Sequence, residues 1–161
     1  MPGTEITKLS DESRVWVFGI SPALDPSQQD TLLRGVDSFL GNWTAHNQPI
    51  KSARELREGS FLVIAVEKTE ETSGCSIDRL FGTLRKLETE FGASILDAAR
   101  VFFRHGDGRV GAMTRAEFRE RGDRHTVVFD TTATTLGAIR NGAWERPAEK
   151  SWHRELLRRA G

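Results

Sequence analysis

Six consecutive apolar residues, Phe61-Leu-Val-Ile-Ala-Val66, constrain this chain more than any other stretch. The run is short and apolar at every position, so it reads as a strand buried in a core. The turn Glu58-Gly59-Ser60 precedes it, and before that residues 50–56 alternate weakly. So short a connection predicts an antiparallel hairpin. After the run, a polar loop at 67–74 leads to Ile77, Leu80, Phe81, Leu84, Leu87 and Phe91. Their spacing makes one apolar helical face, and Gly92 is a natural stop.

The flanking chain supplies elements of the same kinds. Residues 14–20 are rich in β-branched and aromatic side chains and read as a first strand. Leu32, Leu33, Val36, Phe39, Leu40 and Trp43 then recur at helical spacing. Asp25 or Ser27 caps that helix, Pro26 suits its first turn, and it ends near 41–46. In the second half, strand-like residues 98–104 and 109–113 flank His105-Gly-Asp-Gly108, a hairpin signal. Thr114 and Glu117 have capping-box spacing ahead of a helix at 115–121. Residues 125–130 read as a strand, the Thr-rich 131–140 has no assigned element, and Ser151 caps a short helix at 152–159.

The order is β-α-β-β-α-β-β-α-β plus a short C-terminal helix. That is an α+β class, with helices packed on a largely antiparallel sheet. The first half suits a split-βαβ arrangement. Residues 1–13 are polar and are expected to form a loose leader. Residues 92–98 do not resemble a linker, so 14–160 is expected to be a single α+β domain.

Charge and composition narrow the function classes. Among 161 residues, 23 Lys+Arg balance 23 Asp+Glu, which argues against nucleic acid as a partner. The one cysteine excludes an internal disulfide and a cysteine-rich zinc site, and a free thiol fits a reducing cytoplasm. No positive leader with an apolar segment begins the chain, and no run nears the roughly 18 apolar residues of a membrane span. A soluble, cytoplasmic protein is expected.

Candidate chemistry centres on Ser73-Gly-Cys-Ser-Ile-Asp78, at a strand-to-helix junction. A helix N-terminus lowers a thiol pKa, which makes Cys75 a candidate nucleophile. His46 is then the general base and Asp78 the group that orients it. The alternative is structural: Cys75 as a small residue sealing the corner, and His46 closing the first helix. Trp144, Trp152 and His153, with Trp43, form a polar-aromatic set that either lines a ligand pocket or pins the C-terminal segment. Ser76 is available as a helix cap. The four histidines show no H-x-x-x-H or H-E-x-x-H spacing, so no metal and no cofactor are expected.

Trp43-Thr-Ala-His46, Ser73-Gly-Cys-Ser-Ile-Asp78, Thr126-Val-Val-Phe129 and Trp144-Glu-Arg-Pro-Ala-Glu-Lys-Ser-Trp-His153 occur together. In this combination the chain resembles an uncharacterised bacterial family of Bacteroidetes-type genomes, often labelled "ABC transporter ATPase". The resemblance runs from about Arg14 to Leu157. The label implies nucleotide hydrolysis, but the chain has no G-x-x-x-x-G-K-[ST] string to wrap phosphates. The residues therefore point first to a small cytoplasmic domain that binds a protein or small ligand. The alternative is a thiol-dependent hydrolase or transferase using Cys75.

Overall fold

The computed structural model describes residues 5–45, 47–69, 76–140 and 142–157. Its strands and helices run Arg14–Gly19 (β1), Pro26–Gly41 (α1), Thr44–Ala45 (β2), Gln48–Pro49 (β3), Ser52–Arg57 (β4) and Phe61–Val66 (β5). They continue Asp78–Phe91 (α2), Val101–Arg104 (β6), Val110–Met113 (β7), Arg115–Arg121 (α3), Val127–Phe129 (β8), Glu145–Pro147 (β9) and Arg154–Leu157 (α4). The fold is α+β with antiparallel sheets. The helical and strand patterns of the sequence recur, and the two-residue strands β2 and β3 and the edge strand β9 are additions.

β5 is the middle strand of the first sheet, in the order β1-β5-β4, and is antiparallel to both neighbours. β1 and β4 are therefore parallel to each other with β5 between them, which is a split-βαβ unit. All six β5 residues are buried because both faces are covered. Leu62, Ile64 and Val66 face α1 and α2, meeting Leu32, Val36, Leu40, Leu80, Leu84 and Leu87. Val63 and Ala65 face the other way, onto Leu9, Leu136 and Ile139. The period of two sends one strand into two cores.

Helix ends follow local chemistry. Asp25, not Ser27, caps α1: its carboxylate accepts from Gln28 N–H at 2.8 Å, and the Gln28 side chain accepts from Asp25 N–H at 3.0 Å. Thr114 and Glu117 make the same reciprocal pair at α3. α2 departs from expectation. Its cap position is Ile77, which has no side-chain capping bond, while the Ser76 hydroxyl accepts from Asp78 N–H at 3.3 Å. At the far end Glu88 accepts from the N–H groups of Ile95 and Leu96, both at 2.8 Å, and fixes the path out of the helix.

Two stretches differ from their sequence reading. Within the stretch read as a loose leader, residues 5–13 lie against the first sheet. Leu9 is 2% exposed, and Arg140 binds Asp11 and the Ile6 carbonyl. The Thr-rich stretch after β8 supplies Leu136 and Ile139 to the same core. Isolated apolar residues in a polar stretch carry no periodicity, so packing alone defines them.

The second sheet has the order β7-β6-β8-β9, antiparallel throughout, with Phe118 of α3 and Leu156 of α4 in its core. An aromatic seam joins the two sheets. The Phe61 ring lies 5.3 Å from Phe102, 4.8 Å from Phe129 and 4.8 Å from Trp144. A side chain at Gly19 would overlap the Phe102 ring. Beside the seam Arg104 binds Glu58 of the β4–β5 turn (2.9 and 2.8 Å) and Glu145 of β9 (2.6 and 3.0 Å). Its guanidinium holds the Glu58 carboxyl below the usual carboxylate range.

Phe61→Ala is expected to cost about 3–5 kcal/mol in urea unfolding, the usual range for a large aromatic removed from a core. Both sheets are expected to lose stability together, read by amide exchange in β4 and in β8. Loss confined to one sheet would show that the seam does not couple them.

Candidate functional site

The tightest link between the sequence motifs is made by Trp43. It follows α1, is 7% exposed, and packs on Phe39 at 4.8 Å and Trp16 at 5.8 Å. Its indole N–H donates to the Ser76 carbonyl at 2.8 Å, across 33 residues of chain. Trp43 thus holds the approach to α2 against the end of α1. His46 and Cys75 lie outside the described residues. Their described neighbours Ala45 and Ser76 flank this junction. Asp78, the first helical residue of α2, is exposed.

A cavity of about 410 Å³ opens at the junction. Trp43 and Phe39 supply its aromatic surface, and Ser38, Asn42, Thr44 and Ser76 supply hydroxyl, amide and backbone groups. Arg79, in the first turn of α2, is its charged residue. The Arg79 guanidinium has no hydrogen-bonding or ion-pair partner among the described residues. Other arginines are paired: Arg54 with Asp37 at 2.9 Å, Arg57 with Glu55 at 2.6 Å, and Arg104 with two glutamates. An unpaired guanidinium beside a helix start sets up a positive potential in a partly enclosed polar space.

The other aromatic candidates lie elsewhere. Trp144 belongs to the seam, half-buried on Phe61 and Phe129, with Arg57 over its ring at 5.1 Å. Trp152 and His153 belong to the core of the second sheet and stack on one another at 4.0 Å. His153 is 1% exposed, and its Nδ1 is 2.7 Å from the Ser151 hydroxyl. Trp43, Trp144 and the Trp152–His153 pair thus occupy three separate clusters. Neither Trp144 nor Trp152 is fully packed away. Among the described residues no three His, Cys, Asp or Glu side chains converge as metal ligands, and no helix is long and apolar enough to cross a membrane.

Sequence reasoning passed over Arg79. The residue looks like any other exposed helical arginine, and what sets it apart is its place in the lining of the cavity. No family model, curated protein or solved structure matches the chain.

Burial lowers the His153 pKa to about 4, against a smaller upward pull from Asp130 and alongside a downward push from Arg115. The unfolded chain binds a proton near pH 6.5 that the folded one refuses until about pH 4. Stability from this residue is therefore complete above about pH 6.5 and is lost as pH falls towards 4, by roughly 3 kcal/mol. Urea midpoints at about pH 7 and about pH 4.5 should differ less in His153→Gln than in the parent. Equal differences in the two proteins would contradict the assignment.

Proposed function

We propose that the protein is a small-ligand-binding domain whose α1–α2 cleft takes a small anionic molecule. One observation carries this reading: Arg79, unpaired among the described residues, lines a polar cavity with an aromatic surface. A guanidinium offers five donors in a planar fork that matches carboxylate or phosphate. Trp43 and Phe39 supply apolar surface for the remainder of the ligand. The aromatic seam supports one working unit over residues 14–160. The lone cysteine supports a cytoplasmic location.

Small carboxylates and phosphates, screened by NMR on labelled protein, are expected to shift the Trp43 indole N–H and the amides of Asn42 and Arg79. Arg79→Ala is expected to weaken the best of them about tenfold or more, the size of one charge-assisted contact. Binding that leaves those signals unmoved, or that survives Arg79→Ala intact, would overturn the reading.

The Trp43–Ser76 hydrogen bond favours a second reading, a thiol-dependent hydrolase or transferase. It fixes the residue after Cys75 beside the segment that leads into His46. In that reading Cys75 is the nucleophile, His46 takes its proton and Asp78 orients the imidazole. Cys75 alkylation should then rise with a midpoint well below the ordinary thiol value of about 8.5, and His46→Ala should return it there. A midpoint at or above about 8.5 in the parent protein rules this reading out.

A further inference from the structure

The outer edge of β1 is interrupted. In an antiparallel pair, alternate residues bond across the ladder and the others turn their backbone groups outward. Ile20 N–H donates to the Ser60 carbonyl at 2.6 Å, so in this register the even-numbered β1 residues face β5. Val15, Val17, Gly19 and Ser21 face outward. Val15 N–H is taken by the Thr134 carbonyl at 2.9 Å, and Ser21 exchanges two bonds with Ser94 at 3.0 and 2.8 Å. Between these two bridges, the N–H and C=O groups of Val17 and Gly19 have no hydrogen-bond partner among the described residues.

These groups open into a separate cavity of about 390 Å³. The chain leaving Ser94 and the chain approaching Thr134 line the same cavity, Ile95 and Leu96 from the one and Thr131 and Thr132 from the other. Phe81, Leu96 and Phe102 give apolar walls. Arg85 and Asp97 are the charged residues of the lining. Asp97 is engaged by Arg100 at 3.2 Å and by Ala99 N–H at 3.0 Å. Exposed Arg85 has no acidic partner among the described residues.

We propose that this groove docks the C-terminal end of a partner polypeptide, which adds to β1 as a short extra strand and sets its terminal carboxylate on Arg85. The unpaired amides and carbonyls of Val17 and Gly19 are a ladder waiting for one more strand. The bridges at Val15 and Ser21 stop the groove at both ends, so a chain terminus fits where a continuous strand collides. The open stretch, from residue 16 to residue 20, spans about 13 Å at strand rise, room for three or four partner residues. A second copy of β1 does not fit, because a continuous strand runs past Val15 and Ser21, whose outward backbone groups are already bonded to Thr134 and Ser94. The unpaired positive charge at Arg85 selects a carboxylate.

The test uses the full chain, ¹⁵N-labelled, with a randomised library of acetylated tetrapeptides bearing free C-termini. In the free protein, Val17 and Gly19 amides are expected to exchange faster than those of Trp16 and Phe18. Selected peptides should shift and protect Val17 and Gly19. Amidation of the peptide C-terminus, or Arg85→Ala in the protein, is expected to weaken binding about tenfold. N-methylation of the peptide backbone should abolish it without altering the protein. The proposal is overturned by a library in which no free-acid peptide moves Val17 and Gly19, or by amidated peptides that bind equally well.

Discussion

Phe61 is the point on which the molecule turns. It begins a strand buried on both faces, and its ring also joins the two sheets. The chain makes this possible by leaving space next to it: Gly19, paired with Phe61 across the β1–β5 ladder, has no side chain to displace the Phe102 ring. Edge-on aromatic contacts add to the area they bury. Arg104 reinforces the same seam with charge, reaching Glu58 on one sheet and Glu145 on the other. With these carboxylates about a third or more exposed, solvent discounts each pair, and the aromatic contact supplies most of the cohesion.

Sequence reading succeeded where the signal is local. The α2 face, the capping box of α3 and the β6–β7 turn rest on residues a few positions apart, and each recurs in the fold, while the α1 cap, left open between Asp25 and Ser27, falls to Asp25. It fell short where the partner is distant. β9, Glu-Arg-Pro, has no alternating pattern and is a strand only because β8 pairs with it. Leu9, Leu136 and Ile139 become core because the far face of β5 needs cover. Trp144 and Trp152 are close in sequence yet enter different cores, since β9 runs between them.

The candidate site divides in the same way. Trp43 and the approach to α2 were separately conspicuous, as an aromatic and a strand-to-helix corner, but the hydrogen bond joining them is a tertiary fact. His153 drew notice as a possible ligand contact. Burial against Phe118 and Trp152 keeps it neutral and makes it a packing residue with a polar anchor on Ser151. Arg79 and Arg85 stand out only by the cavities they line, since Arg34 and Arg119 likewise have no acidic partner among the described residues. An unmet charge is invisible to composition, which counts equal positive and negative residues over the whole chain.

Hairpin tips are usually where a chain tolerates added residues. The β4–β5 tip is built differently. Glu58 and Gly59 both hold positive φ, at 53° and 64°. Glu58 reaches Arg104, while the Gly59 carbonyl accepts from Leu24 N–H at 3.0 Å in the segment leading to α1. Three parts of the molecule therefore meet on two residues of a three-residue turn. A tag, a graft or a new chain opening placed there would loosen the sheet pairing, the start of α1 and the charged side of the seam in a single stroke.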